Sequence, residues 1–164
     1  MKYRRLTLEE LKELEKEFTQ FLAAQNIQPE DWQTMKQEEP DRVEQLIEQF
    51  SDIVFDKVLG KIEYLEHRTA KELKIFHFRE DQIELAGLAV DPNNESIDLT
   101  DQQVIDQLAR DFDSIAGEGD VKIFTSAKPY TKDKKEEIFE LSESGCYVVD
   151  GKLFETLKGL KEGG

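Results

Sequence analysis

Apolar residues in this chain recur every three or four positions as far as Leu65. From Leu73 they run in short alternating stretches, and this change of period decides the class of fold. Ahead of the change, Leu8, Leu11, Leu14, Phe18, Phe21 and Leu22 make one stripe with Glu9, Glu13, Lys16 and Glu17 opposite, which predicts an amphipathic helix to about Asn26. Pro29, Trp32 and Met35 mark a short helix between Ile27 and Glu39. Val43, Leu46, Ile47, Phe50, Ile53, Val54, Val58, Ile62 and Leu65 then hold helical spacing for about six turns, with Gly60 weakening the stretch by about 1 kcal/mol relative to Ala. Beyond the change, Leu73–Phe78 and Gln82–Leu85 flank the polar Arg79-Glu80-Asp81 and predict a β-hairpin. Val121–Thr125 and Cys146–Val149 have strand composition. The chain therefore reads as α+β. A lobe of antiparallel helices over residues 1–68 is expected to pack with a mixed lobe over 69–164, ordered β-β-α-β-α-β-α around a small mixed β-sheet, with 1–164 forming one domain.

Local chemistry places the element starts. Thr7 can cap the Glu10 N–H while Glu10 reaches back to Thr7, and Leu6 can staple onto Leu11. Pro40 suits the first position of the long helix. Thr100 with Gln103, and Leu99 with Val104, repeat the box and staple for a helix to about Ser114, whose core face is Val104, Ile105, Leu108 and Phe112. Gly117 and Gly119 then release the chain into the next strand, and strand, helix, strand suggests a crossover unit. Asp133 to Ser144 reads as a helix with Ile138 and Leu141 inward. Asp150-Gly151 is a hairpin-turn signal, but the spacing of Leu153, Phe154, Leu157 and Leu160 favours a terminal helix.

Charge narrows the function classes. The chain has 164 residues, and 37 Asp and Glu against 22 Lys and Arg give a net charge of -15, which repels phosphate backbones and disfavours nucleic acid as a partner. No stretch approaches the roughly 20 apolar residues of a membrane span. Lys2, Arg4 and Arg5 lead into Leu6-Thr7-Leu8-Glu9-Glu10 rather than an apolar secretory core, so a cytoplasmic location is expected. A single cysteine, Cys146, excludes an internal disulfide and any multi-cysteine metal site.

Each candidate constellation also has a structural explanation. Between Asp91 and Asp120 nine acids (Asp91, Glu95, Asp98, Asp101, Asp106, Asp111, Asp113, Glu118 and Asp120) face only Arg110, a net of -8. Asp91, Asn93 and Glu95 begin a calcium-loop spacing, but Ser96 replaces the turn Gly and Gln102 the bidentate Glu, so a solvated acidic face is expected. Conversely, Lys122, Lys128, Lys132, Lys134 and Lys135 face only Asp133, a net of +4, with Phe124 and Tyr130 interleaved. Basic and aromatic residues in a loop after a strand are the pattern of a phosphate site, which makes Lys128, Tyr130, Lys132, Lys134 and Lys135 the ligand-binding candidates. A solubilising patch, docking the acidic face of a second copy, is the competing explanation. Glu63 and His67, one helical turn apart, are expected to share a surface hydrogen bond rather than a metal, and His77 to sit half-buried opposite Phe76 and Phe78. Cys146 is expected to fill a small core site at the start of a buried strand, and Phe50, Phe55, Phe76 and Phe78 to be core.

Four stretches look familiar together: Lys2-Tyr3-Arg4-Arg5-Leu6-Thr7, Phe50-Ser51-Asp52-Ile53-Val54-Phe55, Ile62-Glu63-Tyr64-Leu65-Glu66-His67-Arg68, and Ser144-Gly145-Cys146-Tyr147 before Asp150-Gly151. With them the chain resembles, over nearly its whole length, a family of short, acidic, functionally uncharacterised proteins of Bacteroidetes bacteria. The resemblance implies no catalytic or binding residue. Members of such families sometimes carry the label histidyl-tRNA synthetase, which the residues oppose. Phe78-Arg79-Glu80-Asp81 has the acid one place early for the class II Phe-Arg-x-Glu motif, and the Gly-rich, Arg-terminated third motif is missing. The expected function is a non-enzymatic macromolecular interaction or regulatory module, through protein contact or self-association. The alternative is an enzyme or ligand-binding protein for a phosphorylated small molecule near Lys128–Lys135. No catalytic set, metal or cofactor is expected.

Overall fold

Thr7 starts the first helix as its side chain dictates. Its Oγ1 accepts the Glu10 N–H at 3.1 Å, and Glu10 Oε1 accepts the Thr7 N–H at 2.9 Å. In the computed structural model, which describes residues 1–117 and 119–163, this helix is α1 (Leu8–Glu13), followed by α2 (Glu15–Ala23). The single helix expected to Asn26 is thus broken at Leu14, whose backbone (φ -104°, ψ 22°) leaves helical geometry. Pro29 and Pro40 open α3 (Pro29–Glu38) and α4 (Pro40–Leu59), where a missing N–H costs nothing. Leu22, Ile27, Met35, Val43, Leu46 and Ile47 form the core between these helices, with Phe18 edge-on to Trp32 at 5.2 Å and 4.9 Å from Phe50. Buried Ser51 ties the amino-terminal segment down: its Oγ accepts the Leu6 N–H at 2.9 Å and donates to the Ile47 carbonyl at 2.7 Å. These elements form one compact unit, Met1–Gly60; the second is Lys61–Gly164.

The second unit corrects the helical reading of Ile62 and Leu65. Helix α4 stops at Leu59, and Tyr64–Arg68 is a strand, β1, held by neighbours on both sides. Among the described residues the chain has eight helices and five strands. Beside β1 lie β2 (Glu72–Phe78), β3 (Gln82–Val90), β4 (Val121–Pro129) and β5 (Tyr147–Val148), in the sheet order β4-β3-β2-β1-β5. Every adjacent pair is antiparallel, so the protein is α+β as expected, with an antiparallel rather than a mixed sheet. The expected crossover between β3 and β4 is instead a long hairpin excursion. Val90 pairs with Val121, and the Asp91 N–H meets the Asp120 carbonyl at 2.7 Å, so the chain re-enters at the end where it left. That excursion carries α5 (Gln102–Arg110) and α6 (Phe112–Ala116). Asp101 rather than Thr100 caps α5, accepting the Gln103 N–H at 2.9 Å, while the Thr100 hydroxyl donates to Asp98.

One sheet face (Leu73, Ile75, Ala86, Leu88, Val90 and Val121) meets Leu99, Ile105 and Leu108, and Phe154 and Leu157 of the terminal helix α8 (Lys152–Gly163), in one core. On the other face Leu65, Phe78 and Ile83 are buried, and α7 (Lys134–Glu143) lies against β1 with Ile138 buried. The Asp150-Gly151 pair leads into α8 instead of turning a hairpin, with Gly151 at φ +84°. A Cβ there would also come within 2.4 Å of the Tyr64 ring, so glycine is required twice over.

Candidate functional site

The basic candidates come together between β4 and α7. Lys128 lies in β4, paired with Ile83 in register, and Tyr130 donates its hydroxyl to the Arg79 carbonyl in the β2–β3 turn. Lys132 forms an ion pair with Glu140, Lys134 opens α7, and the Lys135 N–H donates to Asp133, the α7 cap, at 3.2 Å. The residue that organises this loop is Glu137. Only 8% exposed, its Oε1 accepts the Thr131 N–H at 3.0 Å, the Thr131 hydroxyl at 3.0 Å and the Lys132 N–H at 3.3 Å. Burial pushes the Glu137 carboxyl up, but these donors and nearby Lys128 outweigh it and hold the carboxyl below its ordinary value. The Tyr130 phenol is pushed up, by burial first and by Glu137 and Asp81 next. An internal carboxylate therefore takes the donors that a phosphate would use. Glu137 was not singled out from sequence.

The two histidines lie on opposite faces of the sheet, and only His67 is near Cys146: the β1–β5 register runs on toward it, and a Cβ on the neighbouring Gly145 would lie 3.9 Å from the His67 ring. Glu63 precedes β1 and His67 is on it, so their expected helical pairing does not form. His77 is half-buried on the face opposite Phe76 and Phe78, as alternation implies, stacked on Tyr64 at 4.2 Å. Its Nδ1 is sealed without a partner, 3.9 Å from Glu84 Oε2, and burial lowers its basicity against the opposing pull of Glu84. Cys146 is half-buried before β5 instead of within a buried strand; β5 is an edge with Tyr147 45% and Val148 62% exposed. Burial raises the thiol's pKa, and Ser144 and Lys74 only partly offset it, which disfavours the thiolate a nucleophile needs. Among the described residues no three His, Cys, Asp or Glu side chains are placed to hold a metal ion. The eight described acids from Asp91 to Asp120 are all exposed; the ninth, Glu118, lies outside the described residues. Asn94 ties their first loop together, accepting from Ser96 and Ile97 and donating to Asp120 at 3.0 Å.

A second site was not singled out from sequence. Glu66 and Arg68, two apart on β1, point to the helix-covered face, where they line a cavity of about 340 Å³ with α5 and the start of α8. Glu66 is 2% exposed. Its Oε2 accepts both Arg68 Nε at 2.8 Å and the Tyr147 hydroxyl at 2.5 Å. Arg68 Nη1 continues to Gln102 Oε1 at 2.8 Å, and Gln102 Nε2 to Asp106 Oδ1 at 2.8 Å. Burial, and then the Glu66 carboxylate, push the Tyr147 phenol up to about 12, so it stays protonated and donates. Both bonds to Glu66 fall on Oε2, and among the described residues Oε1 has no partner. Among the described residues His77 Nδ1 is the one sealed side-chain atom lacking a hydrogen bond, so Glu66 Oε1 is reachable from the cavity.

Fold and site together define an α+β protein whose antiparallel sheet carries a buried glutamate paired with a half-buried arginine in a cavity wall. The chain belongs to a family of unknown function (DUF6495), whose profile spans residues 1–162. No curated protein and no solved structure matches it. Among the described residues no helix is long and apolar enough to cross a membrane.

Proposed function

We propose that this protein is a non-enzymatic interaction or regulatory module of the cytoplasm that recognises a cationic group on its partner. The observation that supports this most directly is the free oxygen of Glu66. A carboxylate in a side chain only 2% exposed loses most of its hydration, and an oxygen left there without a protein donor depends on cavity water or a ligand for one. The net charge of -15 draws cations toward the chain. The alternative ligand, a phosphorylated small molecule at Lys128–Lys135, would have to displace Glu137 from three donors, and Lys132 already faces Glu140. The test is affinity purification from the native host with wild-type and Glu66→Gln baits, followed by mass spectrometry and cross-linking. A partner captured by wild type alone and cross-linked through a basic segment is expected. Identical captures with both baits would refute the role of Glu66, and a thermal shift with inorganic phosphate abolished by Lys132→Glu would return the phosphate reading.

A further inference from the structure

We infer that the Glu66–Arg68 cavity is a guanidinium site: it takes an alkylguanidinium head at Glu66 Oε1 and Asp106, with the alkyl stem against Val149 and Leu153. This deepens the proposed function and rests on it. The cavity, at about 340 Å³, falls at the lower end of the range typical of small-ligand sites.

The charges of its wall select the sign of the ligand. Glu66, Asp106 and Asp150 contribute three negative charges, Arg68 and Lys152 two positive, a balance of -1. Arg68 is spent on Glu66 Oε2 and Gln102, and Lys152 pairs with Asp150 at 3.8 Å. What is left over is acceptor capacity: Glu66 Oε1, and the Asp106 carboxylate, whose Oδ1 takes one N–H from Gln102. Arg68 repels an incoming cation, and its bond to Glu66 reduces that repulsion without removing it.

Burial then selects guanidinium over ammonium. A cation reaching Glu66 must shed most of its water, and guanidinium is the more weakly hydrated of the two. Its planar array of five N–H donors can also serve two carboxylates at once, where an ammonium on the same stem offers a single compact point of charge. The stem's apolar carbons are accommodated by Val149 and Leu153, which line the cavity and are only half-buried. Arg68 and Tyr147 act as positioning residues, fixing Glu66 through Oε2 so that Oε1 is presented.

The same guanidinium chemistry can arrive on a free small molecule or on an arginine side chain of a protein, and the experiment separates the two. Butylguanidinium and butylammonium are titrated into the full chain by isothermal calorimetry and by amide chemical shifts. Butylguanidinium is expected to bind tighter by about tenfold or more, shifting the amides of Glu66, Gln102 and Asp106. Glu66→Gln and, separately, the exposed Asp106→Asn should each weaken it by about tenfold. Asp106→Asn leaves the buried pair intact, so the inference stays testable if Glu66→Gln does not fold. Equal affinity for the two probes overturns the guanidinium assignment while leaving cation recognition standing; no shift with either probe overturns both. A blocked arginine peptide binding better than free arginine assigns the head to a protein partner, the reverse order assigns it to a metabolite, and either order supports the guanidinium chemistry.

Discussion

Glu137→Ala should loosen the loop between β4 and α7 without touching its lysines. Glu137 satisfies two backbone N–H groups and one hydroxyl at 3.0 to 3.3 Å from a side chain that is 8% exposed. Hydrogen bonds to a charged group contribute about 1.5–3 kcal/mol each, but Thr131 and Lys132 are exposed, so water recovers much of that once the carboxylate is gone. A net loss of about 2–4 kcal/mol is expected for Ala, and about 1–2 kcal/mol for Gln, which keeps one acceptor oxygen but no charge. The pH dependence has a definite sign. Because the folded carboxyl lies below its ordinary value of 4.5, its contribution is fully present above that pH and is lost as pH falls through the lower folded value, so wild type and variant should converge in acid. Urea unfolding followed by circular dichroism gives the energy, and hydrogen exchange of the Thr131 and Lys132 amides gives the location. The vacated donors should also make the Ala variant gain more thermal stability from added sulfate than wild type, which gains only the general stabilisation by an excluded salt. If the two wild-type amides exchange at free-peptide rates at neutral pH, or the Ala variant unfolds within about 0.5 kcal/mol of wild type, Glu137 does not hold the loop.

Three further outcomes follow from named contacts. Arg68→Met should cost about 3–5 kcal/mol by stranding Glu66, and Glu66→Leu/Arg68→Met should recover most of it; equal losses in urea midpoints would mean the pair is not effectively buried. Glu10→Gln should cost about 1 kcal/mol at neutral pH, shrinking between pH 4.5 and about 2, because the Arg4 guanidinium and the Thr7 N–H hold the Glu10 carboxyl down at about 2; an undiminished difference at low pH would refute the capping box's dependence on charge. Asp101→Ala should cost about 1 kcal/mol and Thr100→Ala under about 0.5 kcal/mol in the same melts, since only Asp101 accepts an α5 N–H.

What the sequence made legible in the fold is what local chemistry decides. Thr7 with Glu10, Pro40 and Asp133 act on backbone groups within about one turn, and each opens a helix where it was read. The β2–β3 hairpin was legible for a similar reason, its two strands being separated by three polar residues. The direction of β4 was not, because it is set by the meeting of Val90 with Val121 across an excursion of two helices, and no residue in that excursion announces at which end the chain returns. Thr100 was misread by one position for a comparable reason. Three oxygen-bearing side chains, Asp98, Thr100 and Asp101, stand within four residues, and which of them caps depends on the Asp98 turn that engages the Thr100 hydroxyl.

The cavity was lost through a single element. Ile62 and Leu65 continue the helical rhythm of α4, and on a helix Glu66 and Arg68, two residues apart, point to different sides and form no pair. On a strand the same spacing puts them on one face, so reading Tyr64–Arg68 as helix removed the pair from view. The strand itself depends on partners far along the chain: Leu73–His77 on one side and Tyr147–Val148 on the other, with Tyr147 reaching Glu66 across 81 residues. The lysines from Lys128 to Lys135 had the opposite visibility, because their type and clustering are local, whereas the carboxylate that occupies their loop is marked by no motif. Charge counting therefore drew attention to a loop whose Thr131 and Lys132 donors are already engaged. The oxygen with no donor belongs to a glutamate that composition alone counts as one acid among 37 Asp and Glu.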